Sequence, residues 1–174
     1  MCIRDRVWGH SGLQMTDLDG DGDLDVLLSN GDTLDDATVK PYHGIRWLEN
    51  RGDLEFERHD LAAMAGVHRA QAADLDGDGD QDIAACSFLP DPDGKLGDLA
   101  SIGWLEQTGP GVFVRHTLET GKMSHVTLDL GDYDADGDVD MLVGNMIGFT
   151  FAKTATGIDS DNWAELWVNR TRDP

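Results

Sequence analysis

The run DLDGDGDLDVLL, Asp17 to Leu28, returns as DLDGDGDQDIAA from Asp74 to Ala85 and as DYDADGDVDMLV from Asp132 to Val143. Each copy places Asp at relative positions one, three, five, seven and nine and Gly at six, then enters an apolar stretch. Carboxylates crowded this closely repel one another. A hard cation relieves that repulsion, and calcium takes six to eight oxygen ligands at about 2.3–2.6 Å. Side chains at one, three, five and nine supply oxygens, and position seven offers its backbone carbonyl. A solvated charge run has no need for this spacing, and three copies in register set chance aside. The reading is three calcium sites.

An EF-hand begins with the same letters but carries a bidentate Glu at position twelve. Here that position holds Leu28, Ala85 and Val143. The residues leaving the loop, such as Leu24, Val26 and Leu27, favour a β-strand over the second helix of an EF-hand or dockerin loop. Gly22, Gly79 and Gly137 all hold position six, which predicts one shared backbone conformation with φ > 0. The loops read as strand–loop–strand sites.

The repeat is longer than the loop. Asp17 and Asp74, Trp47 and Trp104, Phe56 and Phe113, and His59 and His116 are each separated by 57 residues. GIRWLEN corresponds to SIGWLEQ, and FERHDL to FVRHTL. The third loop follows at 58, and its WAELWVN segment places Trp167 at 63 after Trp104. Repeats of this length are four-stranded β-units. The first strand carries alternating apolar residues (Leu13 and Met15; Ala70 and Ala72; Leu128 and Leu130) and leads into the loop. The second covers Val26 to Ser29, Ile83 to Ser87 and Met141 to Asn145. The third carries the Trp, over Ile45 to Glu49, Ile102 to Glu106 and Glu165 to Asn169. The fourth covers Glu55 to Leu61 and Val112 to Leu118, and is missing from the third unit. Only Asp60 to Gly66 allows a single helical turn. The expected units are 7–61, 62–118 and 119–174, and the chain reads as about three blades of something longer.

The formal charge of −21 on 174 residues is extreme, and the loop Asp residues account for much of it. Such acidity excludes nucleic acid and anionic membrane surfaces as natural partners. Regular recurrence of Trp, Phe, Leu and Val argues against disorder, and no apolar run is long enough to span a membrane. Two cysteines give no disulfide framework. Cys86 lies in an apolar run and reads as a small core residue. The opening MCIRDR, residues 1–6, resembles a translated sequencing adapter, so the absence of a leader there says nothing about secretion.

The loop and period resemble the FG-GAP/VCBS-type calcium-binding β-propeller repeats, whose relatives form the integrin α-subunit head. The motif carrying the likeness is D-x-D-x-D-G-x-x-D followed by an apolar strand. The WLEN and RH segments resemble the subset common in secreted bacterial proteins. The resemblance implies an all-β propeller fragment of four-stranded blades, with calcium locking the loop between the first two strands of each. It carries the ligand set onto Asp17, Asp19, Asp21, Asp23 and Asp25; Asp74, Asp76, Asp78, Asp80 and Asp82; and Asp132, Asp134, Asp136, Asp138 and Asp140. Ala135 replaces Gly at position four, a departure expected to cost little because Gly137 remains.

Two functional readings follow. One is a calcium-stabilised module, secreted, extracellular or periplasmic, that binds a protein or carbohydrate ligand and packs against remaining blades of the same chain. Weak extracellular calcium binding, at about 10⁻⁴–10⁻³ M, suits it. The other is part of a carbohydrate-active enzyme, lyase- or dehydratase-like, with a His- and Arg-lined central funnel. His10, His68 and His125 precede the loops and would have to converge for that reading. No G-x-S-x-G, H-E-x-x-H or P-loop is present. The long connections, Asn30 to Gly44, Phe88 to Ala100 and Ile147 to Trp163, share the face opposite the loops, where they read equally as a ligand surface or as inserts tolerated on a surface. His59 and His116 are expected on outer strands as surface or inter-blade packing residues. Trp47, Trp104 and Trp167 are expected in the core between sheets.

Overall fold

The computed structural model describes residues 9–33, 38–90, 97–146 and 162–171. All regular elements among them are strands: β1 (His10–Thr16), β2 (Asp25–Asn30), β3 (Gly44–Asn50), β4 (Phe56–Ala63), β5 (Val67–Ala73), β6 (Asp82–Ser87), β7 (Ala100–Gly109), β8 (Val112–Thr120), β9 (His125–Gly131), β10 (Asp140–Asn145) and β11 (Ala164–Trp167). They form three antiparallel sheets in the orders β1-β2-β3-β4, β5-β6-β7-β8 and β11-β10-β9. Each sheet is a meander, and contacts between sheets concentrate on β1, β5 and β9. The protein is all-β, built as successive propeller-like blades.

Alternation along the strands gives each sheet two usable faces. Leu27, Ile45 and Trp47 of the first sheet, with Leu18, pack on Val67, Ala70, Ala72, Ile83, Ala85 and Leu105 of the second. The other face of the second sheet, carrying Ala84, Cys86 and Ile102, packs on Leu128, Met141 and Val143 of the third. The middle sheet is therefore covered on both sides, and every residue of β6 is buried. This is why DIAACS reads as a continuous small-apolar run rather than an alternating one. Cys86 lies wholly inside, and burial pushes its thiol pKa up to about 12, so it behaves as an inert core residue. Polar side chains add specificity between first strands. Gln14 of β1 exchanges two hydrogen bonds with the Ala72 backbone of β5, accepting from its N–H at 2.6 Å and donating to its carbonyl at 3.3 Å.

Two details depart from expectation. Asp60 to Ala63 belongs to β4, leaving only a short turn before β5. The third unit also has a different register. Leu27 pairs with Trp47 and Ala84 with Trp104, but Leu142, at the same loop-relative position, pairs with Leu166. Trp167 pairs with Met141 and so corresponds to Leu48 and Leu105, facing the preceding sheet rather than the following one. Aligning tryptophans is thus wrong by one residue, which reverses the face in a strand. The register is set instead by Asn169, whose N–H meets Asp140 as those of Asn50 and Gln107 meet Asp25 and Asp82. Residues 1–6 and most of the Ile147 to Trp163 connection lie outside the described residues.

Candidate metal centres

Each Asp run links a first strand to its second on one end of the sheets. Position six is left-handed in all three, with φ of +96° at Gly22, +101° at Gly79 and +96° at Gly137. Position four is left-handed as well: +78° at Gly20, +82° at Gly77 and +66° at Ala135. Ala135 is therefore not a neutral replacement. A Cβ in this region costs roughly 1–2 kcal/mol, and the third loop bears that cost.

The carboxylates at odd positions turn back on their own loop. Asp17 accepts from the N–H of Gly20 at 2.9 Å and of Gly22 at 3.0 Å. Asp19 accepts from Asp21 N–H and Asp21 from Asp23 N–H, at 3.2 and 2.9 Å. The second loop repeats this with Asp74 to Gly77, Asp76 to Asp78 and Asp78 to Asp80. In the third, Asp132 accepts from Asp136 and Gly137, Asp134 from Asp136, and Asp136 from Asp138. These local bonds, of the kind short acidic side chains form in turns, gather the oxygens. Ligand atoms of Asp17, Asp19 and Asp25 lie within 4.8 Å of one another, as do those of Asp74, Asp76 and Asp78, and of Asp132, Asp134 and Asp136. Each of these groups can hold a metal ion.

Position nine has a second task. Asp25, Asp82 and Asp140 are buried to 1% exposure or less. One oxygen of each accepts from the N–H at position two (Leu18, Leu75, Tyr133) at 3.0, 3.2 and 2.9 Å. The other accepts from the third-strand N–H of Asn50, Gln107 or Asn169 at 2.8, 2.7 and 2.8 Å. This carboxylate ties the loop to the sheet whether or not it touches a metal. Position seven varies: Asp23 is exposed, whereas Asp138 is buried and accepts from the Thr171 hydroxyl at 3.3 Å. Asp80 keeps a buried Oδ1 with no hydrogen-bond partner. Burial, then the neighbouring Asp78, Asp82 and Asp76, raise its pKa to about 6. Burial likewise raises Asp19, Asp76 and Asp82, with nearby carboxylates adding to it and backbone N–H groups opposing it. The protein has concentrated negative charge where its own structure does not neutralise it.

Sequence reading overlooked the residue three after Trp47 and Trp104. Asn50 donates its amide to the Leu24 carbonyl at position eight of its loop, at 3.1 Å. Gln107 and Asn169 do the same to Gln81 and Val139, at 3.1 Å each. Their recurrence in WLEN, WLEQ and LWVN was the available signal. His59 and His116 are also better defined than expected. Each stacks on the Trp directly across the sheet, with ring centroids 4.5 and 4.7 Å apart, and bonds Glu49 or Glu106 at 2.7 and 2.6 Å. They brace their own sheets. Glu49, Glu57 and His59 form a fourth close group, but Arg51 bridges both of its carboxylates at 2.7 Å and supplies the positive charge.

His10, His68 and His125 form no metal-holding group among the described residues. His68 bonds the Val126 carbonyl of the next sheet at 2.8 Å, and fully buried His125 bonds Glu119 and Asn145. His43, which the sequence did not single out, is buried in a similar role, bonding Asp32 and accepting from Gly66 N–H at 3.1 Å each. These histidines serve as polar links between segments.

A search of curated proteins finds no match to the chain. A family model described as the FG-GAP-like repeat matches residues 17–85, from the first Asp of the first loop to the strand leaving the second. That stretch holds two of the three loops and the interval between them, and the third sheet repeats its contacts. Over residues 17–85 the chain is FG-GAP-type repeat sequence.

Proposed function

We propose that the protein is a calcium-stabilised extracellular module whose loops clasp each blade and whose opposite face binds a protein or carbohydrate ligand. The threefold Asp ladder, with its oxygens drawn together, carries this reading. The buried, unpartnered Asp80 Oδ1 adds negative charge beside the second ladder, and a cation held there would offset it. The donor set is all oxygen, with no thiolate or imidazole, which favours a hard cation. Magnesium retains its waters and suits such a multi-carboxylate loop less well than calcium. Calcium would neutralise the ladder, and the Asp residues would supply its ligands.

A cation that binds only the folded loop stabilises by about 2.7 kcal/mol per site at a hundred times its dissociation constant. Thermal unfolding with millimolar calcium and then with excess chelator tests this. The expected result is a marked loss of melting temperature on chelation, with reversal on calcium return. An unchanged melting temperature would remove the calcium reading. A glycan and matrix-protein array of the calcium-loaded chain tests the ligand-binding half, where no enrichment counts against it. Among the described residues no helix is long and apolar enough to cross a membrane. Leu13 and Met15, 56% and 60% exposed, occupy the positions that Ala70 and Ala72 bury against a neighbouring sheet. That likeness supports a further blade of the same kind covering them. The enzymatic reading needed the three histidines together, and the separate hydrogen bonds of His68 and His125 give it no support.

A further inference from the structure

The three acidic loops are joined to one another, and the joints are single side-chain amides. Gln107 is buried at 2% exposure at the end of its Trp strand. Its Nε2 donates to the Gln81 carbonyl in its own loop at 3.1 Å and to the Leu18 carbonyl in the preceding loop at 3.0 Å. Its backbone N–H meets Asp82, and its Oε1 accepts from Gly111 N–H at 2.8 Å. Asn169 repeats the arrangement one sheet later. Its Nδ2 donates to Val139 in its own loop at 3.1 Å and to Leu75 in the preceding loop at 2.6 Å. Leu18 and Leu75 each hold position two, between the first two carboxylates of their ladders. Gln107 lines the cleft between its two loops, together with Asp17, Asp19 and Asp80.

We propose that Gln107 and Asn169 are positioning residues that couple adjacent metal loops, so that a cation in one raises the affinity of the next. The inference rests on the calcium reading of the loops. The N–H of position two stays on the position-nine carboxylate, but in a loop without its cation the mutual repulsion of the remaining carboxylates would loosen the peptide that follows it, and with it the carbonyl the amide needs. A buried amide hydrogen without an acceptor is costly. Ordering either loop restores one of the two acceptors and lowers the cost of ordering the other. Coupling of this kind is reciprocal and runs through shared order rather than through a direct metal contact. Asn50 reaches only its own loop, so the chain of coupling runs from the first loop to the third through two amides.

The test uses the full chain with the third loop disabled by Asp132→Asn and Asp134→Asn, leaving two sites. Calcium titrated calorimetrically should bind with positive cooperativity, the second ion binding roughly threefold more tightly than the first, as expected for one recovered hydrogen bond. Adding Gln107→Met keeps the side-chain volume and removes both donors. The two sites should then bind independently. A residue serving only the fold would lower the melting temperature and leave the cooperativity intact, and that result would overturn the coupling. Independent binding before the Gln107 change would overturn it equally. Absence of any calcium binding would instead sink the loop reading on which it rests. If the Gln107 variant does not fold, Asn169→Leu with the first loop disabled by Asp17→Asn and Asp19→Asn puts the same question to the other pair. There, cooperativity surviving Asn169→Leu would decide against coupling.

Discussion

The two ends of the sheets follow different rules. At the loop end the same contacts recur three times: the Asp ladder, the buried position-nine carboxylate and the amide after the third strand. At the other end, among the described residues, no two connections make the same contacts. Between β2 and β3, Asp32 gathers Lys40, Tyr42 and His43. At the start of β9, Glu119 accepts from Ser101 and His125, while Lys122 and Asn145 bind Glu165. Repetition marks what every blade needs in order to fold. Individuality marks where one blade can acquire a role the others lack. The ligand surface proposed above would lie on the individual end, and substitutions at the repeated end should act on stability, by similar amounts in every sheet.

Position nine offers the largest break. Asp82→Ala removes the acceptor of two backbone N–H groups, those of Leu75 and Gln107. Leaving them unpaired should cost about 3 kcal/mol, since each buried orphan costs about 1–3 kcal/mol. Asp25→Ala and Asp140→Ala should cost about the same, because their contacts are the same. Denaturant unfolding in calcium measures all three. A spread much wider than this among the sheets would mean that the clasp is not a repeating unit.

The third loop sharpens the comparison from within. Ala135 holds a φ of +66° where its counterparts are Gly20 and Gly77. Ala135→Gly should stabilise the chain by about 1 kcal/mol, and Gly77→Ala should destabilise it by a similar amount. Open space surrounds a Cβ built at Gly20, so crowding by neighbours adds nothing to the backbone cost there. Thermal unfolding of the pair, with calcium saturating, reads both signs. Equal and opposite shifts would show that backbone conformation alone separates the loops.

How much of this was legible beforehand differs between the two ends for a physical reason. The loop end is local. Its Asp and Gly spacing, its left-handed Gly residues and its exit into a strand all follow from a dozen consecutive residues. Strand positions were legible wherever apolar alternation or the Trp recurred. The register of β11 was not, because Trp167 and Leu166 are both large and apolar, and only the distant Asp140 decides between them. The amides of Gln107 and Asn169 were visible as a repeat, but their reach into the preceding loop depends on how sheets stack. Tertiary proximity also made Glu119, His125 and Glu165 neighbours, and no spacing rule announces that.

The smallest expected effect tests the individual end. Burial pulls the Glu165 carboxyl upward, but hydrogen bonds from Lys122 and Asn145 and the charges of Lys122 and His125 outweigh it and hold its pKa below the ordinary value. A carboxyl depressed in the folded state contributes stability above its unfolded pKa and loses it as pH falls through the lower folded value. Lys122→Met should therefore destabilise the chain at pH 7 by up to about 1 kcal/mol, as for a partly exposed ion pair. The difference from the parent chain should shrink as pH falls below about 4. Urea unfolding of both chains from pH 7 to pH 3 measures it. Among the described residues the other sheets show no counterpart of this pair. A difference that persists unchanged to pH 3 would mean that the Glu165 carboxylate does not carry the effect, and that the individual end adds no charge-dependent stability at this point.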